Sequence, residues 1–425
     1  MRPWKIPVVL VAVSILVALL GAVPAGAGHG VNGKVCIVNS IGGPDDPFNA
    51  AAAAGAKEAE AKLHVEVVTL DADTDTEVTA NIDAFVTSGD CDLIIGLGFL
   101  ISFLLEPFIA SNPDQAFAVI DFSFEEPYPN VAEVLFDVDE AGFLAGYIAA
   151  GVSDTGKVGV FGGLPIPPVT AFMDGYALGV DWYNTEYGTS VEVLGWDPDL
   201  QVGLFTFNFD NPVDGQAFAS DLYDLGADTV FPVAGFTSFG ALFEAAERKA
   251  VGEDVRVIGV DFDWSGTFGD PDRVILTSVI KDYGPAVFNQ IAAIADGTRS
   301  DGLVFEGLAE GSVDIAPFHK LNRDVPGFLK NDLKALRAGI IEGTIPTLPP
   351  VGSLGNPVEW IIAPHLPDPV AWQTLIDALH EMTGLAFDVR TPVDWRSFVE
   401  LMCASPDTAA GTTTFGTYVV ANELC

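Results

Sequence analysis

Phe136 to Gly163 reads FDVDEAGFLAGYIAAGVSDTGKVGVFGG: a strand-like run, an alanine- and glycine-rich stretch, a Ser-Asp-Thr-Gly turn, then a second β-branched run ending in two glycines. Strand, helix and strand in that order make a crossover into a second βα series. Short apolar runs lie on both sides of it: KVCIVN, HVEVVTL, DLIIGLG, AFAVID and VAEVLFD before, then KVGVFGG, SVEVLGW, TVFPVAG, VRVIGVD and VILTSVI after. Between them lie helix-like stretches at 49–62, 140–153, 169–187, 215–225 and 238–251. Alternation of this kind predicts parallel sheets covered on both faces, and runs without strict alternation fit strands buried on both sides. So many strands close as a barrel or divide into two open sheets. The 136–163 stretch favours division, because its second strand opens a new βα series with its own glycine turn.

The chain has 425 residues, nearly half of them apolar, which is enough for two or three domains. Its formal charge of −40, with only 19 basic residues, argues against nucleic acid or an anionic membrane as partner. Residues 1–27 carry Arg2 and Lys5, then an apolar stretch, then small residues near Ala25-Gly26-Ala27, the layout of a secretory signal peptide. That predicts export, to the periplasm or the cell envelope, with a membrane tether if the segment stays uncleaved. Of the four cysteines, Cys403 with Cys425 is the preferred disulfide; Cys36 and Cys91 are a second bridge or buried thiols at the start of two strands.

In open α/β sheets ligands gather at the carboxyl ends of strands, where helix N-termini present free amides. After the first strand comes Asn39-Ser40-Ile41-Gly42-Gly43-Pro44-Asp45-Asp46-Pro47-Phe48-Asn49, where Asp45 or Asp46 suits a helix cap and Phe48 and Asn49 would face the crevice. An ordinary capped βα loop has the same composition. Other ends supply Phe99, Asp121, Gly235 with Phe236, Asp261 and Lys281. Aromatics, carboxylates, an amide and a lysine suit a ring bearing a sugar: rings stack on Phe, and hydroxyls are held by carboxylate acceptors.

At these residues the chain resembles the basic membrane protein (Bmp) family, the purine nucleoside receptors of ABC importers. The matching pieces run in order from about 33 to 345: GGPDDPFNAAAAAGA, CDLIIGLGFL, FAVID, AGFLAGYIAAGVSDTGKVGVFGG, LYDLGADTVFPVAG, VIGVDFDW, ILTSVIK and GLAEGSVDIAPFH. The resemblance implies a type I periplasmic-binding-protein fold, two Rossmann-like lobes joined by a hinge, with lobe 1 at 31–135 and 262–283 and lobe 2 at 136–261 and 284–345. It implies a nucleoside between the lobes, delivery to an ABC permease, and no cofactor. Phe48 and Asn49 would hold the base; Asp121, Asp261 and Lys281 would stand near ribose or base polar atoms, with Gly235 and Phe236 in the second lobe. The sequence departs from the family at Ser40, where an aspartate is usual, and in a loop one residue shorter before Phe48. Residues 351–425 resemble the N-terminal part of a phosphonate- or phosphate-binding type II periplasmic protein, a partial α/β module whose Thr413, Thr414 and Thr417 match the anion region while Ala363-Pro364-His365 lacks the usual serine.

Several motifs fall short of catalysis. Asp71–Glu77 spaces carboxylates like a calcium loop, but Thr76 and Ile82 stand where an EF-hand needs Gly and Glu. The five histidines have no metal-ligand spacing, and Gly235-Phe-Thr-Ser-Phe-Gly240 has one residue too many before Ser238 for a nucleophile elbow. No metal site and no enzyme are expected. The enzyme alternative is a calcium-dependent nucleoside hydrolase; the other is a receptor that senses a non-nucleoside small molecule.

Overall fold

The computed structural model describes residues 33–39, 43–72, 74–124, 128–299 and 301–349, with a short antiparallel pair at Glu359–Trp360 and Val393–Asp394. The leader-like segment 1–27, Ser40, and the rest of the module 351–425 with Cys403 and Cys425 lie outside the described residues.

The first sheet begins with β1 (Lys34–Val38), β2 (Glu66–Leu70), β3 (Leu93–Leu97), β4 (Phe117–Ile120) and β5 (Val131–Phe136), connected through α1 (Pro47–Leu63), α2 (Asp75–Ser88) and α3 (Phe99–Ser111). Helix α4 (Val138–Val152) crosses to β6 (Lys157–Gly162). There follow α5 (Pro167–Tyr187), β7 (Glu192–Leu194), a small pair β8 (Trp196–Asp197) and β9 (Val202–Gly203), α6 (Pro212–Asp224), β10 (Thr229–Val233), α7 (Phe239–Ala250), β11 (Arg256–Asp261) and β12 (Ile275–Lys281). The chain ends its described course with α8 (Tyr283–Asp296), β13 (Gly302–Glu306), β14 (Val313–Ile315) and α9 (Gly327–Ile341).

Two six-stranded sheets result, ordered β13-β5-β4-β3-β1-β2 and β14-β12-β11-β10-β6-β7. Every pairing in them is parallel except β14 on β12. The apolar runs are long because both faces are covered. Val35 and Ile37 point into one core, Cys36 and Val38 into the other, and all are buried. Helix α4 is buried along nearly its whole length, which explains a sequence apolar all round. Its small residues let α5 approach closely: a Cβ on Gly146 would stand 1.9 Å from the Tyr176 carbonyl oxygen.

The structure corrects one boundary. The return to the first lobe was expected at 262–283, yet Ile275–Lys281 pairs in parallel with β11, Gly259 opposite Ser278 and Val260 opposite Val279, inside the second sheet. The return is made instead by α8, which packs on α1, and by β13, which pairs with β5. GLVFE carries a weak strand pattern because it is an edge: Leu303 and Phe305 are exposed, and only Val304 between them packs on the core.

Cys36 on β1 and Cys91 before β3 form a disulfide, with Cα atoms 5.8 Å apart. The Asp71–Glu77 stretch works as a helix entry: Thr74 Oγ1 accepts from the Glu77 amide at 3.3 Å, and Asp71 Oδ1 accepts from Asn39 Nδ2 at 2.7 Å. Ser238 is held by backbone, accepting from the Ala234 amide and donating to the Pro232 carbonyl.

Candidate functional site

The loop after β1 becomes a short turn and then α1, whose N-cap is Asp46. Asp46 Oδ1 accepts from the amides of Phe48 and Asn49, each at 3.0 Å, which fixes the first turn and aims Phe48. Asn49 is buried, and its Nδ2 donates to the Gly43 carbonyl at 2.9 Å, so part of its amide holds the turn.

Asp121 follows β4 and Asp261 closes β11. Both adopt the left-handed backbone region, with φ of 69° and 71°, where a non-glycine residue carries strain of order ~1–3 kcal/mol. Lys281, at the end of β12, joins them. Its Nζ donates to Asp121 Oδ2 at 2.6 Å and lies 3.8 Å from Asp261 Oδ1. The lysine side chain is only 8% exposed. Burial disfavours its charge, but Asp121 and Asp261 together outweigh that and hold the ammonium above its ordinary pKa. Burial raises the Asp261 pKa; Lys281 pulls it back, and Asp121 and Asp46 push it up again.

Rings line this ion cluster. The ammonium sits 5.2 Å from the Phe48 ring centre, 5.9 Å from Phe172 on α5 and 5.9 Å from Tyr283. Tyr283, the first residue of α8, is buried, packs 4.7 Å from Phe48 and stacks 5.4 Å from Phe136 at 9°. Its hydroxyl donates to Asp121 Oδ2 at 2.9 Å. Burial, then Asp121, pushes its pKa well above the tyrosine range, so it stays a donor at physiological pH.

The structure thus brings together Asp46, Phe48, Asp121, Asp261 and Lys281, from four strand ends. Gly235 opens the turn after β10 with φ of 51°. Phe236 is 57% exposed and sets its ring against Phe239 on α7, with no ring contact to the ion cluster. Phe99 begins α3, and its side chain lies outside the described part. Tyr283, Phe172 and Phe209 were not anticipated. Phe209 is an exposed ring in the loop after β9: a Cβ on Gly163 would stand 2.3 Å from it, and one on Gly235 would stand 3.4 Å from its Cβ. The glycines at the ends of β6 and β10 are therefore the bed of an aromatic ring, which gives FGG and VAG a reason. Two cavities, of about 390 Å³ lined by Lys249, Arg256 and Arg273 and of about 660 Å³ lined by Trp182, Leu336 and Pro346, lie elsewhere and involve none of these residues.

The family model described as "ABC transporter substrate-binding protein PnrA-like" matches residues 33–341. The chain belongs to the Bmp family. Basic membrane protein A1 of Borrelia garinii subsp. bavariensis is 31% identical over 258 residues, 60% of this chain and 70% of that protein. A Lactococcus lactis protein named ABC transporter nucleoside-binding protein BmpA is 26% identical over 263 residues, again 60% of this chain and 70% of that one. Among solved structures, an ABC transporter solute-binding protein from Aeropyrum pernix K1 superposes with a TM-score of 0.60 at 30% identity, covering 73% of this chain and 92% of that one. One from Conexibacter woesei gives 0.57 at 25% identity, covering 75% and 98%. Bmp-family membership makes the chain a substrate-binding protein of an ABC transporter, not an enzyme, with a small-molecule ligand, a permease partner and an extracytoplasmic place of work. That removes the hydrolase alternative.

Proposed function

We propose that this Bmp-family receptor binds a nucleoside, with purine nucleosides as the first ligands to test, between two lobes that close about a hinge, and presents it to its permease from the periplasm or cell envelope. The lobes are the two sheets with their helices, and the hinge is the set of crossovers at Phe136–Val138, Lys281–Tyr283 and Glu306–Gly307. The observation that carries the reading is the joint placement of the Phe48 ring and the Asp121–Lys281–Asp261 cluster at the strand ends. A base would stack on Phe48, with Phe209 as the ring offered from the second sheet, while ribose hydroxyls donate to Asp121 and Asp261. The cluster carries two carboxylates for one ammonium, so a neutral, hydroxyl-rich ligand fits better than a phosphorylated one. The name of the Lactococcus lactis relative points the same way.

Calorimetry with adenosine, guanosine, inosine and cytidine on the purified protein tests this directly. Binding of at least one purine nucleoside is expected, and replacing Phe48 by Ala is expected to abolish it with the fold intact. No heat from any of the four, or affinity unchanged in Phe48→Ala, would defeat the assignment.

A further inference from the structure

Asp121 receives two donors on one oxygen. Lys281 Nζ at 2.6 Å and the Tyr283 hydroxyl at 2.9 Å both bond Oδ2, and Oδ1 makes no hydrogen bond among the described residues. The residue is strained, with φ of 69°, and its own amide is tied back to the Val134 carbonyl at 2.7 Å. A strained conformation persists only where its surroundings over-determine it, and here the fixings are one backbone bond and two side-chain donors. Both donors also lie against the ring beside the cluster, the Lys281 ammonium 5.2 Å from the Phe48 centre and the Tyr283 ring 4.7 Å from it, but only the tyrosine meets it ring to ring. The tyrosine ring also stacks on Phe136, the residue before the first crossover, while Tyr283 itself follows the second.

We infer that Tyr283 is the positioning residue of the cleft: its hydroxyl holds the Asp121 carboxylate so that Oδ1 is the oxygen offered to a ligand hydroxyl, and its ring braces Phe48. This deepens the nucleoside reading and rests on it for the choice of ligand. The two functions of the side chain separate cleanly. The hydroxyl acts on selectivity for sugar hydroxyls, and the ring acts on affinity for any stacked base.

Adenosine and 2′,3′-dideoxyadenosine, titrated into wild type, Tyr283→Phe and Tyr283→Leu, distinguish them. In Tyr283→Phe, adenosine is expected to weaken about ten- to hundredfold, the worth of a hydrogen bond to a charged group, while the dideoxy analogue changes by less than about twofold. In Tyr283→Leu both ligands weaken, because Phe48 loses its brace. Equal weakening of both ligands in Tyr283→Phe, or none, overturns the inference. Amide hydrogen exchange of residues 119–123 without ligand is the independent arm: exchange is expected to quicken in Tyr283→Phe, because a strained segment has lost one of its fixings. If wild type binds neither nucleoside, the nucleoside reading falls and the exchange result alone decides the positioning role, with unchanged exchange counting against it.

Discussion

Asp121 and Asp261 occupy the same place in the two sheets and live under different rules. Each ends a buried strand, each is left-handed, and each begins a matching tetrapeptide, Asp121-Phe122-Ser123-Phe124 and Asp261-Phe262-Asp263-Trp264. The fourth residue even makes the same kind of bond. The Phe124 amide donates to Glu133 on β5 at 3.2 Å, and the Trp264 amide donates to Ser278 on β12 at 3.1 Å. The partners are where they part: among the described residues Asp121 holds a short ion pair and a tyrosine hydroxyl, whereas Asp261 has the lysine at 3.8 Å and a pKa raised chiefly by burial. One carboxylate is pinned through a single oxygen by two donors, and the other is held by one longer ion pair. Equivalent positions in the two sheets thus differ in how firmly the carboxylate is fixed.

The sharpest way to break that comparison is to remove each charge while keeping a residue that tolerates the left-handed region. Asp121→Asn is expected to lose about 3 kcal/mol of stability in urea unfolding, since it takes the near partner from a buried ammonium. Asp261→Asn is expected to lose less than about 1 kcal/mol, because burial already disfavours that charge. Equal losses would show the two sites to be alike after all.

Next in size is the staple that only the first sheet has. Reducing the Cys36–Cys91 bridge, or replacing both cysteines by Ala, is expected to cost about 2–4 kcal/mol and to raise exchange in β1 and β3 before any strand of the second sheet. Uniform loosening of both sheets would contradict a local role.

A smaller effect, with a pH signature, belongs to the crossover after β5. Burial, then Asp139, Glu140 and Glu310, raises the Asp137 pKa to about 7. An acid with a folded pKa above its unfolded one binds its proton more tightly when folded, so stability falls as pH rises from about 4 towards 7, and the deficit is complete above that. Asp137→Asn should therefore be neutral at pH 4 and stabilising by about 1–2 kcal/mol at pH 8, read from thermal unfolding at both. Ser278→Ala is expected to cost about 1 kcal/mol in thermal unfolding, from leaving the Trp264 amide without its acceptor.

Much of this was legible beforehand, for identifiable reasons. Strands buried on both faces announce themselves as apolar runs, so DLIIGLG and VIGVD were plain. Carboxyl ends of parallel strands are where ligands gather, so Asp121, Asp261 and Lys281 could be picked out singly. The half-exposed edge β13 has too weak a pattern to be seen, and missing it sent the return crossover one strand too early. Tyr283 and Phe209 follow a crossover and a long loop, and only three-dimensional closure sets them beside the strand ends. Their significance was invisible along the chain.

The late position of β13 has a consequence for a protein made from one end to the other. The first sheet cannot gain its edge, nor α1 its partner α8, until residues 283–306 exist, by which time nearly the whole second sheet has been synthesised. During synthesis and passage outwards the early strands must wait with one flank uncovered. The two lobes are then finished almost together, so a shortened product ending before residue 300 would lack not a tail but the closing piece of its opening half.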